Sequence, residues 1–250
     1  MSSNRLIQVS QQTYTNSTPV PQDLGGIESG DTFSDETMTQ MFDQLLYPYI
    51  APSVNLSVTP TNSLREYGDN ITSVDLSANT TKNTNDITSV EFFRDGSSIH
   101  VVSSPSASGG TETYTDSTGV SSNTTYRVDV SDGTQTVSDS ESYNFVYPYY
   151  HGTGAPGLTP SEVQNLTKLI ESKSNKVVYE SPSSEVYYFA YPASYGSLSS
   201  ILDSNGFEII GDFTETDETF SMLDGTDQIY KVYEFNNLTT QTDFKITYKY

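Results

Sequence analysis

The chain has 250 residues, with 11 Lys and Arg against 32 Asp and Glu, for a formal net charge of −21. That balance argues against non-specific nucleic-acid binding, which depends on neutralising phosphates, and it favours solubility and repulsion between free copies. There is no cysteine, so disulfides and thiolate metal sites are excluded, and 19 Tyr and 11 Phe with no Trp leave much of the core to aromatic rings.

In chain order, residues 1–50 read as an arm followed by a helix. No apolar run follows the opening Met1-Ser2-Ser3-Asn4-Arg5, and none elsewhere nears the eighteen or so residues of a membrane span. The expectation is a soluble protein made in the cytoplasm, without export. Arg5-Leu6-Ile7-Gln8-Val9-Ser10 can form a short strand with no neighbour of its own, the kind of arm that docks on another chain through Leu6, Ile7 and Val9. A helix is expected next, with Ser34 as N-cap and Asp35 and Glu36 in its first turn. Met38, Met41, Phe42, Leu45 and Leu46 fall at i, i+3, i+4, i+7 and i+8 and make one apolar stripe. That stripe needs cover from the chain's own β domain, from the later unit or from partner helices in an oligomer. Pro48 ends the helix near Tyr47.

The run Leu46-Tyr47-Pro48-Tyr49-Ile50-Ala51-Pro52 has an echo in Val146-Tyr147-Pro148-Tyr149-Tyr150. Each Pro drives the Tyr before it towards an extended conformation. Paired tyrosines, with apolar rings and polar tips, suit joints between packed bodies. Residues 51–149, between the two runs, show the alternation of an immunoglobulin-like β-sandwich. Val54, Leu56 and Val58 alternate, Ile71, Val74 and Leu76 follow, and Asp95-Gly96 and Asp132-Gly133 mark hairpin turns. Tyr126 is placed as a corner tyrosine bonding back to residues 121–124. The Ser-, Gly- and Thr-rich stretch 103–119 reads as an exposed loop.

Residues 150–250 read as a second β-rich domain with one helix. Residues 151–157 look like a flexible hinge. Thr159-Pro160-Ser161-Glu162 is a helix start, and Val163, Leu166, Leu169 and Ile170 would form that helix's stripe. Strands are expected at 176–179, 186–191, 206–211, 213–220, 229–235 and 244–250, with a helical turn at 198–202. The last strand is expected to close a sheet against partners already in place.

No nucleophile elbow, phosphate loop or His-Glu-x-x-His occurs, and His100 and His151 lie far apart in sequence. Asp and Glu are plentiful enough for a glycosidase pair, but no pair stands above the rest. Asp129, Asp132 and Asp139, and Asp203, Asn205 and Glu208, cluster at turns that could interest calcium without matching an EF-hand loop. The expectation is a protein that is not an enzyme, with no cofactor and no metal.

Several short motifs in order carry a resemblance. Leu24-Gly25-Gly26-Ile27, Gly30-Asp31-Thr32-Phe33, the short helix and the first Tyr-Pro-Tyr run resemble the start of tail-fibre and other virion structural proteins of tailed bacteriophages. There the helix and joint introduce an immunoglobulin-like module, and Val146 to Gly152 is similar to the exit from it. Phe189-Ala190-Tyr191-Pro192-Ala193-Ser194-Tyr195-Gly196, Leu198-Ser199-Ser200-Ile201-Leu202-Asp203, Asn205-Gly206-Phe207-Glu208 and the strands Tyr230-Lys231-Val232-Tyr233 and Phe244-Lys245-Ile246-Thr247-Tyr248 resemble a domain of the same proteins.

The resemblance implies a structural component of the virion at the tail, baseplate or neck. It acts by assembly with other virion proteins and as a homo-oligomer, a trimer by family analogy. The absence of a repeated shaft favours a small adaptor or decorating subunit over a distal receptor-binding tip. Leu6, Ile7, Val9, Met38, Met41, Phe42, Leu45, Leu46, Tyr47 and Tyr49 would form the assembly face. The alternative is a receptor- or carbohydrate-binding module at the tail, using Tyr187, Tyr191 and Tyr195 against a host surface glycan. A glycan-degrading enzyme is a third reading.

Overall fold

The computed structural model describes residues 13–250, so Leu6, Ile7 and Val9 of the expected arm lie outside the described residues. The chain is mainly β: an immunoglobulin-like sandwich and a second β-rich domain, preceded by a small N-terminal unit with an amphipathic helix. Among the described residues no helix is long and apolar enough to cross a membrane.

In the N-terminal unit, β1 (Thr13–Asn16) pairs antiparallel with β2 (Phe33–Thr37), and α1 (Met38–Leu46) follows at once. Ser34 is therefore not the N-cap; pairing with β1 makes residues 33–37 a strand, with an irregularity at Asp35, whose φ is 55°. The cap is Thr37, whose hydroxyl accepts from the Gln40 N–H at 3.3 Å while Gln40 Oε1 accepts from the Thr37 N–H at 2.7 Å. This Thr-x-x-Gln capping box satisfies two donors that would otherwise be orphaned. The helix stops at Tyr47, which leaves the helical region (φ −129°, ψ 65°) ahead of Pro48.

The sandwich strands are β3 (Ser53–Thr59), β4 (Arg65–Glu66), β5 (Val74–Thr81), β6 (Ser89–Arg94), β7 (Ser97–Val101), β8 (Gly109–Asp116), β9 (Thr124–Ser131), β10 (Thr136–Tyr143) and β11 (Phe145–Val146). A three-stranded sheet, β3-β5-β8, faces a four-stranded sheet, β10-β9-β6-β7. Alternate residues point inward, so Leu56, Val58, Leu76, Ala78, Val90, Phe92, Tyr126, Val128 and Val130 form one core. Asp95 and Gly96 both have positive φ (49° and 81°), the conformation of the tight hairpin turn that their sequence demands.

Two expectations are corrected here. The second half of 103–119 is not a loop but β8, paired with β5 from Val74↔Asp116 to Thr81↔Gly109. Its backbone ladder, not an apolar alternation, defines it. The Tyr126 hydroxyl bonds to the Asp116 carboxylate at 2.7 Å and not to the 121–124 loop.

The second domain comprises β12 (Tyr149–Gly154), α2 (Pro160–Val163), β13 (Thr167–Leu169), β14 (Lys176–Glu180), β15 (Ser183–Pro192), β16 (Ser200–Leu202), β17 (Phe213–Ser221), β18 (Asp227–Phe235), β19 (Thr239–Thr240) and β20 (Phe244–Lys249). A large antiparallel sheet, β13-β12-β15-β18-β17, lies over a small one, β14-β20-β16. Strand β15 is central and buried on both faces. Tyr187, Phe189 and Tyr191 pack towards the small sheet, and Val186, Tyr188 and Ala190 towards α2 and Met222.

The expected hinge at 151–157 is half strand. Gly152 and Gly154 serve close packing, since a Cβ on them would lie 3.2 Å from Leu166 Cδ2 and 2.8 Å from Leu158 Cδ1. The expected helix begins as read, with Glu162 closing the capping box on Thr159, but it lasts one turn. Leu169 joins β13 opposite Tyr149 because the sheet edge offers it a ladder. Residues 206–211 form a turn and a 3-10 turn in place of a strand, and 200–202 form β16 in place of a helical turn. The last strand, β20, lies in the middle of its sheet, between β14 and β16.

Candidate functional site

The N-terminal unit brings Met38, Met41, Phe42 and Leu45 of the expected assembly residues together on one surface. The Leu24-Gly25-Gly26-Ile27 turn is closed by Leu24 and Ile27 backbone bonds of 2.8 and 3.1 Å, and the Gly26 N–H donates to Gln44 O at 2.8 Å. A Cβ on Gly25 would fall 2.2 Å from Leu45 O, so only glycine lets the turn press on the helix. The result is an apolar cavity of about 280 Å³ lined by Leu24, Ile27, Met38, Met41, Phe42 and Leu45.

No residue of α1 is buried. Met38, Phe42 and Leu46 are 50%, 52% and 63% exposed, and Leu24 is 58% exposed. Folded helices ordinarily bury such a stripe, and a helix of nine residues is marginal alone. Leu24 and Ile27 belong to this face although the helical period could not reveal them. Their signal was the Gly-Gly turn beside two aliphatics.

The two Tyr-Pro-Tyr joints behave differently. At the first, Tyr47 is fully open at 75%, while the Tyr49 hydroxyl donates to Asp132 Oδ2 at 2.9 Å and Ile50 and Ala51 bond to Thr84 and Asn83. At the second, Tyr147 packs on Tyr67 with ring centroids 4.7 Å apart and bonds to Asp224 and Gln228. Tyr149 and Tyr150 are buried in the two cores of the second domain. Within the sandwich, parallel pairing of β11 with β4 fixes Glu66 beside the joint, and an ion pair of 2.6 Å between buried Glu66 and Lys168 locks the sandwich to that domain. The hydrogen bond that Lys168 donates to the Glu66 carboxylate raises the Lys168 pKa and keeps its ammonium charged.

The tyrosines expected at a glycan-binding surface lie elsewhere. Tyr187 and Tyr191 are 1% and 0% exposed, because the central strand that carries them is covered on both faces. Burial pushes the Tyr187 hydroxyl up to about 12. Tyr195 is half-buried, with its ring centroid 5.8 Å from that of Tyr149 and 6.1 Å from that of Tyr250. Neither Tyr187 nor Tyr191 has a ring face open to a sugar.

The remaining polar candidates are absorbed by local structure. His100 stacks on Tyr114 at 4.6 Å, and His151 Nδ1 lies 2.5 Å from Glu180 Oε1. Asp132 accepts from the Thr134 and Gln135 amides, and Asp139 from the Leu56 amide. Asp203 accepts from the Asn205 and Phe207 amides, and Glu208 from Ser200 and the Ile201 and Ile210 amides. These carboxylates staple turns and strand ends. Among the described residues, no three His, Asp or Glu side chains come together as a metal site.

No family model matches the chain, and no curated protein matches it. Among solved structures, a chain described as an anomalous substructure of Titin-A168169 is similar at 14% identity over 80% of this chain and 92% of that one, with a TM-score of 0.28.

Proposed function

We propose that this chain is a structural subunit of a tailed-phage virion, at the tail, baseplate or neck, and that it works by protein–protein assembly. The N-terminal unit docks on further copies of the chain and on neighbouring virion proteins, and the sandwich and the second domain project from it. One observation carries the assembly reading: α1 presents a continuous apolar stripe with none of its residues buried. Met38, Phe42 and Leu46 are already partly covered, so taking the rest of each side chain out of water would contribute roughly 1–2 kcal/mol apiece. The virion context is supported by the ordered motifs of the two Tyr-Pro-Tyr joints and the last domain. The glycan-binding alternative has lost Tyr187 and Tyr191 as its contacts.

The test is negative-stain microscopy of purified particles labelled with antibody against residues 150–250. Label at one structural position on the tail, baseplate or neck is expected. Intact particles that carry no label, although the protein is expressed and its epitope accessible, would contradict the reading.

A further inference from the structure

We propose that the free edge of β14 pairs antiparallel with β14 of a second copy, centred on Val178, so that two small sheets join into one continuous sheet. This contact is separate from the N-terminal face and does not rest on it.

Strand β14 ends its sheet: β20 occupies one side, and among the described residues no strand pairs with the other. A free edge presents unpaired N–H and C=O groups, which natural proteins usually guard with charge, proline or a bulge. The large sheet guards β17 in this way, with Glu215, Asp217 and Glu218 along it. Strand β14 reads Lys176-Val177-Val178-Tyr179-Glu180 and carries no such guard on its outer row. There Val177 is 51% and Tyr179 58% exposed. Their neighbours across the ladder are Thr247 and Lys245.

The sequence of this edge is complementary to itself. A two-fold axis through Val178 sets Val177 against Tyr179 of the second copy and Tyr179 against Val177 of the second copy. Both are cross-strand pairs of an aromatic with a β-branched residue, the kind that stabilises antiparallel ladders. The inner residues Lys176 and Glu180 are engaged within their own copy, by Glu171 and His151 respectively, and are not needed for the contact.

Charge also selects this place. Copies with a net charge of −21 repel one another, yet β14 and β20 together hold three lysines and one glutamate. Among the described residues neither Lys245 nor Lys249 is paired with a carboxylate. Carboxylate repulsion between copies is thus weaker at this edge than over the rest of the surface, while the lysines of two facing edges repel one another.

The absence of native cysteine allows a direct test on the full chain. Val177→Cys and Tyr179→Cys are made separately and oxidised alone and as an equimolar mixture. Both positions are exposed, so circular dichroism should report an unchanged fold. In the proposed register residue 177 faces residue 179 of the other copy, whereas identical positions sit on the diagonal, beyond disulfide reach. The mixture should cross-link strongly and each single variant weakly. In sedimentation equilibrium, Val177→Lys, which counts twice in a two-fold contact, should weaken this association by about tenfold or more. The proposal is overturned if the mixture cross-links no better than the single variants, or if Val177→Lys leaves self-association unchanged.

Discussion

The Tyr126 hydroxyl lies 2.7 Å from Asp116 Oδ2, and that bond joins the two sheets of the sandwich, since β9 and β8 belong to opposite layers. Arg94 Nη1 reaches the same oxygen at 2.9 Å, and the Thr118 amide and hydroxyl take the other oxygen at 2.9 and 2.6 Å. Asp116 is 3% exposed. Burial pulls its pKa up, but the bonds from Thr118 and Tyr126 and the Arg94 charge outweigh it and leave the carboxyl below its usual value. A depressed carboxylate pKa stabilises the fold above the unfolded value of about 3.9, and that contribution is lost as pH falls through the lower folded value. Asp116→Ala should cost about 2–3 kcal/mol at neutral pH, because it takes the carboxylate from Tyr126, Thr118 and Arg94 and leaves the guanidinium only Thr118 and Gly119, and Tyr126→Phe should cost about 1 kcal/mol. Urea unfolding from pH 7 to pH 3 should show the wild type losing its advantage over Asp116→Ala only at the acid end. An advantage that does not vary with pH would count against this account.

The pair that locks the second joint should respond unequally to truncation. Lys168→Met leaves the Glu66 carboxylate, 5% exposed, without a partner, whereas Glu66→Gln leaves an ammonium that is 44% exposed and reachable by water. The first should cost about 3 kcal/mol and the second about 1 kcal/mol. Denaturant unfolding of the full chain would measure the difference. Equal costs would mean that Glu66 is solvated in the folded state.

Gly68 tests the same joint from its backbone. Its φ is +104°, and a Cβ there would lie 2.4 Å from Asp224 N and 2.5 Å from Leu223 C. Gly68→Ala should push the sandwich away from the second domain and split one unfolding transition into two. A single transition at the wild-type midpoint would show that the contact bears no load.

Within the second domain, Phe189 stacks on Tyr248 with ring centroids 3.8 Å apart, at the meeting of the two sheets. Both rings are buried, so Phe189→Ala should cost about 3–5 kcal/mol. A change below about 1 kcal/mol would mean that the sheets re-close over the void. Calorimetry would decide between them.

The sandwich was legible because its strands alternate cleanly and its turns carry Asp-Gly pairs. Strand β8 was hidden: Gly109 to Asp116 offers one aromatic and no aliphatic residue, and its strand state comes from the β5 ladder. Gly152 and Gly154 suggested flexibility because a lone glycine does not disclose which neighbour presses on it. Leu166 and Leu169 kept a helical period, yet a free sheet edge captured Leu169, a tertiary effect that spacing cannot report. The helix stripe at Met38, Met41, Phe42, Leu45 and Leu46 was read directly from periodicity. Burial of Tyr187 and Tyr191 was not, because alternating tyrosines look alike whether one sheet face is covered or both.

The central claim is that the face built on α1 holds this chain in its assembly, and sedimentation velocity of the full chain tests it most directly. Met38→Asp with Phe42→Asp changes two half-exposed side chains and should leave the circular dichroism spectrum and melting temperature close to wild type. Wild type should sediment as a higher assembly, and the double variant should fall to the monomer or to the pair joined through β14. Identical sedimentation of the two proteins would contradict the claim.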